Sequence, residues 1–165
     1  KYPHEKYNSA NYENIGKVIY DFSGDGLADA QKFARRLLVN ILLANGDAHL
    51  KNWSFLYLDE ITPRLSPAYD IVTTSVYIEN ETQYALNLGK TKEWYTVTMA
   101  HFQSWAGKSG IPWRAIKPHL DDTLSKAREV WPEALKTLPM DDAHKEGLRV
   151  HWGKLQDDFK IDATK

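Results

Sequence analysis

From residue 27 to residue 44 the apolar residues Leu27, Ala30, Phe33, Ala34, Leu37, Leu38, Ile41 and Leu42 recur at steps of three and four. That spacing is one face of an α-helix and cannot be served by a strand, whose faces alternate every two residues. A five-turn apolar stripe has to be buried against other elements, so the spacing predicts a helix over 27–44 at the centre of the fold. Lys32, Arg35 and Arg36 fall on its other side and read as a solvated face, with a phosphate or partner patch as the functional alternative. The stripe runs directly into Asn45-Gly46-Asp47-Ala48-His49-Leu50-Lys51-Asn52. Polar side chains packed beside a core cost desolvation energy, which makes this octet the first candidate for a site.

The flanking sequence predicts a mainly α fold with a small β hairpin or sheet. Residues 1–11 read as a loop, and residues 12–22 as a short helix with Ile15, Ile19 and Phe22 on its inner face. Asp21-Phe22-Ser23-Gly24-Asp25-Gly26 imitates the opening of a calcium loop, but the position that needs a bidentate glutamate is Lys32, so a turn between helices is the reading. Residues 53–58 and 64–65 read as two strands joined by the Asp59-Glu60 turn, and 83–88 as a third strand in which Tyr84, Leu86 and Leu88 alternate with polar positions. Helices are expected over 97–107, 113–130 and 141–159, opened by Thr96, Pro112 and Pro139-Met140-Asp141, with Trp105, Trp113, Trp131 and Trp152 packing them together. Residues 161–165 are expected to fray.

Bulk properties exclude several functions. The 21 Lys and Arg nearly cancel the 22 Asp and Glu, which gives no basis for direct nucleic-acid binding or for a membrane surface. The most apolar run is far too short to span a bilayer. The absence of cysteine removes disulfides and thiolate metal sites and makes a reducing, cytoplasmic location the expectation. Gly89-Lys90-Thr91 and Gly107-Lys108-Ser109 end like phosphate loops, yet both lack the first glycine, so they read as turns, with Lys90 and Lys92 still candidates to lie near a phosphate. His4, His101, His119, His144 and His151 contain no pair spaced for zinc on one helical turn, and His144 and His151 are expected to be exposed.

The octet suits phosphoryl transfer, which needs magnesium held against nucleotide phosphates and an acceptor hydroxyl held in line. In protein kinases a catalytic aspartate is followed, after four residues, by a metal-binding asparagine, and a further metal-binding aspartate follows later in the chain. Asp47, Asn52 and Asp70 have this layout, with the expected hairpin between Asn52 and Asp70. If the hairpin folds back on itself, Asn52 and Asp70 converge. Lys51 would offset charge on the transferring phosphate, and His49 would bond a phosphate or brace the loop.

With the second segment Leu65-Ser66-Pro67-Ala68-Tyr69-Asp70-Ile71-Val72, the octet resembles the paired signature of HipA-type serine/threonine kinases, the toxins of bacterial toxin–antitoxin modules. The form Asn-x-Asp-x-His-x-Lys-Asn is much more specific than kinase spacing alone, and looser similarity runs from Lys1-Tyr2 to the closing helices. The resemblance implies that Asp47 is the catalytic aspartate, that Asn52 and Asp70 bind Mg2+, and that His49, Lys51, Asn52, Tyr69 and Asp70 line the phosphates of ATP. It also implies a protein serine or threonine acceptor, translation-related targets such as an aminoacyl-tRNA synthetase, and an antitoxin that binds operator DNA.

Such kinases also carry an N-terminal lobe with a phosphate-covering loop and an ATP-binding lysine, which the segment before Asp47 does not supply. The expectation is therefore that residues 1–165 form a single C-terminal kinase lobe without its N-terminal lobe, unable to transfer phosphate alone. Two other readings stay open. One is a metal-dependent phosphoesterase or nuclease using Asp47, His49 and Asp70 as ligands with a water nucleophile. The other is a non-catalytic module whose helical surface contacts an antitoxin or a second lobe.

Overall fold

The computed structural model describes residues 10–162, so His4 and most of the expected opening loop lie outside the described residues. Among the described residues are α1 (Tyr12–Phe22), α2 (Gly26–Leu42), α3 (Met99–Lys108), α4 (Trp113–Thr137) and α5 (Asp142–Lys154). Two antiparallel hairpins accompany them, β1 (Phe55–Tyr57) with β2 (Pro63–Leu65) and β3 (Gln83–Leu88) with β4 (Thr91–Glu93). The mainly α architecture with small hairpins is the one the sequence pattern predicts.

Helix α2 is the central element, flanked by α1 and α4, while α3 packs on both of these. Asp25 caps its start by accepting the Ala28 N–H at 3.2 Å. Ala30, Phe33, Ala34, Leu37, Leu38, Ile41 and Leu42 are all buried, whereas Leu27 in the first turn is exposed. The helix stops at Leu42, short of Ala44, because Ala44 takes a left-handed conformation with φ 52°. Phe33 meets Trp105 of α3 at 5.7 Å between ring centroids, and the Trp105 indole donates to the Tyr12 carbonyl at 2.9 Å.

Phe22 is exposed, not internal: the buried face of α1 ends at Ile19, and the chain turns away at Ser23-Gly24, where the Gly24 N–H donates to the Pro63 carbonyl at 2.8 Å. The calcium-like stretch is a helix-to-helix turn, with Asp21 paired to Lys17 at 2.8 Å and Asp25 used as the cap. The cationic side of α2 is not simply solvated either. Lys32 pairs with Asp29 at 2.9 Å, Arg35 pairs with Asp122 of α4 at 2.7 Å, and half-buried Arg36 donates to the Ser66 carbonyl.

Buried Asp29 decides where the first hairpin lies. Its carboxylate accepts from Arg64 Nε at 2.9 Å, Arg64 Nη2 at 3.1 Å, the Leu65 N–H at 2.8 Å and the Ser23 hydroxyl at 2.6 Å. Burial alone would raise its pKa, but these donors, with Lys32, hold it well below the usual carboxylate range. The second hairpin adds β4, which the sequence pattern did not mark. Gly89 and Lys90 form its turn at φ 71° and 129°, and Ser109 and Lys108 end α3 against Glu13, so both phosphate-loop imitations are structural.

The C-terminal half corrects several expected boundaries. Thr98 rather than Thr96 caps α3. Helix α4 continues past Pro132 to Thr137, because burying Leu135 and stacking Trp131 on Trp152 at 6.3 Å outweighs the hydrogen bond that Pro132 lacks. Helix α5 ends at Lys154 instead of 159; Phe159 is buried against Phe102 in a following turn, and Arg128 donates to the Lys160 carbonyl at 2.8 Å. Ile161, expected to fray, is buried. His151 is also buried, with Nε2 2.8 Å from the Ile41 carbonyl and Nδ1 3.3 Å from the Tyr95 hydroxyl.

Candidate active site

The site begins where α2 ends. A helix C-terminus leaves carbonyls without intrahelical partners, and two of them are taken by α5: Ile41 by the His151 imidazole and Leu42 by the Trp152 indole at 2.8 Å. The point from which the octet departs is thus fastened to the far end of the fold. Buried Asn45 then organises the loop. Its amide nitrogen donates to Asn40 Oδ1 at 2.7 Å, its Oδ1 accepts the Asp47 N–H at 3.1 Å, and Nδ2 lies 3.5 Å from the Asp70 carbonyl. The Gly46 N–H donates to the Thr74 hydroxyl at 2.7 Å. The Tyr12 hydroxyl donates to the Ala48 carbonyl at 3.0 Å, and burial raises this phenol above its ordinary range, so it remains a donor.

Asp47 is half-exposed, and His49 Nε2 lies 3.8 Å from its Oδ2 while the His49 ring is buried. After His49 a short 3-10 turn, Leu50–Asn52, lifts Lys51 into solvent and turns Asn52 inward. Hairpin β1–β2, pinned by Asp29, returns the chain alongside it. The Tyr69 hydroxyl donates to the Lys51 carbonyl at 2.7 Å and lies 2.6 Å from the Ser54 hydroxyl. Asp70 takes φ 56°, a conformation that aspartate tolerates at modest cost and that recurs at functional sites.

The convergence expected from the hairpin is present: Asn52 Nδ2 donates to Asp70 Oδ2 at 2.6 Å. That bond leaves the Asn52 amide oxygen buried and without a hydrogen-bond partner among the described residues. An orphaned buried carbonyl oxygen is costly, and beside an exposed carboxylate it forms a donor pair of the hard-oxygen type that Mg2+ prefers. Asp47 lines a cleft of about 740 Å3, together with Gly46, Thr74, Glu81, Gln83 and Lys92, whereas Asn52 and Asp70 line a separate, much smaller pocket with Asn40 and Tyr69. Among the described residues no three His, Cys, Asp or Glu side chains come together as a metal-holding group, so Asp47, His49 and Asp70 do not form the three-ligand hydrolytic centre weighed above.

Sequence reasoning missed the residues that hold the loop: Tyr12, Asn45, Thr74 and the Asp29 anchor. Asn45 carried a signal, standing inside the polar octet. The others are brought in from distant elements and have no local pattern.

Residues 1–131 match the HipA-like C-terminal domain family, and the chain belongs to that family. A Sinorhizobium fredii protein named "Putative kinase Y4dM" is 39% identical over 139 residues, covering 84% of this chain and 34% of its own length. A Haemophilus influenzae protein named "Putative kinase" is 42% identical over 86 residues, covering 51% of this chain and 24% of its own. In fold, the chain matches a solved structure of Shewanella oneidensis HipA with HipB and operator DNA at TM-score 0.71 and 19% identity, over 88% of this chain and 36% of that one. The chain therefore spans about a third or less of the length of these relatives. No helix among the described residues is long and apolar enough to cross a membrane.

Proposed function

We propose that this chain is the metal- and acceptor-side lobe of an ATP-dependent kinase of the HipA type, acting on serine or threonine of a protein. The observation that carries the reading is the Asn52–Asp70 bond, which leaves the Asn52 amide oxygen buried and unpartnered. Asn52 and Asp70 would hold Mg2+, which when bound neutralises charge on the nucleotide phosphates. Asp47, beside the cleft, accepts the proton of the acceptor hydroxyl as that oxygen bonds to the γ-phosphorus and the bond to the β-phosphate bridging oxygen breaks. Exposed Lys51 would offset charge on the transferring phosphate, and His49 and Tyr69 brace the loop and its partner segment.

The rest of the catalytic apparatus, a lobe gripping adenine and covering the phosphates, belongs in this reading to a longer protein, in line with the relatives' lengths. An antitoxin partner is supported by the HipA–HipB–DNA neighbour, in which any contact to DNA is left here to the antitoxin. A cytoplasmic location and a translation-related target such as an aminoacyl-tRNA synthetase complete the proposal. The test is Mg2+-dependent ATP binding and phosphoryl transfer by the full-length protein, with Asp47→Ala and Asn52→Ala. Transfer is expected to vanish in both while folding is kept, and Mg2+-dependent affinity for ATP is expected to fall with Asn52→Ala. Undiminished transfer by Asp47→Ala would refute the assignment.

A further inference from the structure

The residues that hold Asp47 are not confined to its own loop. The 3-10 turn Thr74–Val76 follows the Asp70 segment, and Thr74 Oγ1 accepts the Gly46 N–H at 2.7 Å and lies 3.2 Å from the Ala44 carbonyl. The same hydroxyl stands 2.5 Å from Glu81 Oε2, a short contact of the kind made when a carboxylate is the acceptor. With the hydroxyl hydrogen directed to Glu81, the oxygen lone pairs of Thr74 are turned toward the Gly46 amide. Glu81 also abuts the loop directly: a Cβ placed on Gly46 would lie 2.3 Å from Glu81 Oε1 and 2.9 Å from the Gln83 carbonyl. Gly46 is thus hydrogen-bonded by Thr74 and pressed by Glu81, while the next amide, that of Asp47, is held separately by Asn45.

We propose that Thr74 and Glu81 are positioning residues for Asp47, a two-link brace running from the Glu81 carboxylate through the Thr74 hydroxyl to the Gly46 amide. The proposal rests on the kinase reading above. Its physical content is that a carboxylate taking a proton in flight must be held to a fraction of an ångström, since a misplacement of about 1 Å is enough to cost on the order of a hundredfold in rate. Neither residue touches the acceptor or the metal ligands in this role. Both act by restricting the backbone that carries Asp47, so their removal should lower turnover and leave nucleotide affinity alone.

The test uses the full-length protein, with ATP hydrolysis measured so that water serves as the acceptor, and deuterium uptake followed in the peptide spanning residues 44–52. Thr74→Val and Glu81→Ala are expected to lower kcat by roughly tenfold or more with KM for ATP within about twofold, and to speed uptake in that peptide. Thr74→Ser, which keeps the hydroxyl, is expected to restore both. A kcat within twofold of the parent in Thr74→Val, or uptake unchanged in both disrupting variants, overturns the brace. If Asp47→Ala leaves hydrolysis intact, the kinase reading fails and the positioning role falls with it; unchanged uptake with Asp47→Ala inactive overturns the brace alone.

Discussion

Acidification should loosen this fold through one histidine before it acts through the carboxylates of the core. His151 sits 3% exposed between the Ile41 carbonyl and the Tyr95 hydroxyl, with the Trp94 ring 5.4 Å away. The neutral ring satisfies both contacts, donating from Nε2 to Ile41 and accepting at Nδ1 from Tyr95. Burial pushes its pKa down from 6.5 to about 4, Lys154 adding to the shift and the Ile41 bond opposing it. Because the folded form binds the proton more weakly than the unfolded chain, this contribution is complete above pH 6.5 and is lost as the pH falls toward 4. Linkage gives a loss of about 2 kcal/mol at pH 5 and about 3 kcal/mol at pH 4. Urea unfolding of the parent and of His151→Gln, compared at pH 7.5, 6 and 5, isolates the effect, since glutamine can donate to Ile41 without titrating. The stability advantage of the parent should shrink by about 2 kcal/mol between pH 7.5 and 5. A difference that stays flat over that range would refute the reasoning.

Three further outcomes follow from named contacts. Asp29→Ala strands the buried Leu65 amide and releases Arg64 to solvent, and should cost about 1–3 kcal/mol in urea unfolding. Trp152→Phe keeps most of the packing but leaves the buried Leu42 carbonyl without its donor; the expected loss is about 1–3 kcal/mol in chemical denaturation. On the proposed kinase reading, Gly46→Ala should abolish phosphoryl transfer by the full-length protein while the thermal midpoint changes little, because the added methyl collides with Glu81 and Gln83 beside the loop and the core is elsewhere. A fully active Gly46→Ala protein would contradict the described loop geometry.

Legibility in the sequence followed how local each cause is. Helix α1 and strand β3 have the expected bounds, since an apolar period and a polar boundary are properties of neighbouring residues. The return of the first hairpin was legible too, because Asp59 closes its own turn by accepting the Ile61 and Thr62 amides at 3.1 and 2.6 Å. Failures came where distant partners decide. Pro132 stands inside a helix that Trp152 helps to hold, His151 is buried by Ile41 and Trp94, and Arg36 serves the Ser66 carbonyl instead of solvent.

The sequence by itself determined the mainly helical class, the central helix and the presence of Asp47, Asn52 and Asp70 at a telling spacing. Those are facts of order along the chain. Only the tertiary structure decided that Asn52 spends its amide nitrogen on Asp70 and keeps its buried oxygen unpartnered, and that Asp47 stands beside a cleft. The reason is that a side chain's remaining hydrogen-bonding capacity depends on which distant groups have already been brought against it. Asp29 draws β2 back, Thr74 and Asn45 hold the loop, and α5 fastens the end of α2 from which the octet springs.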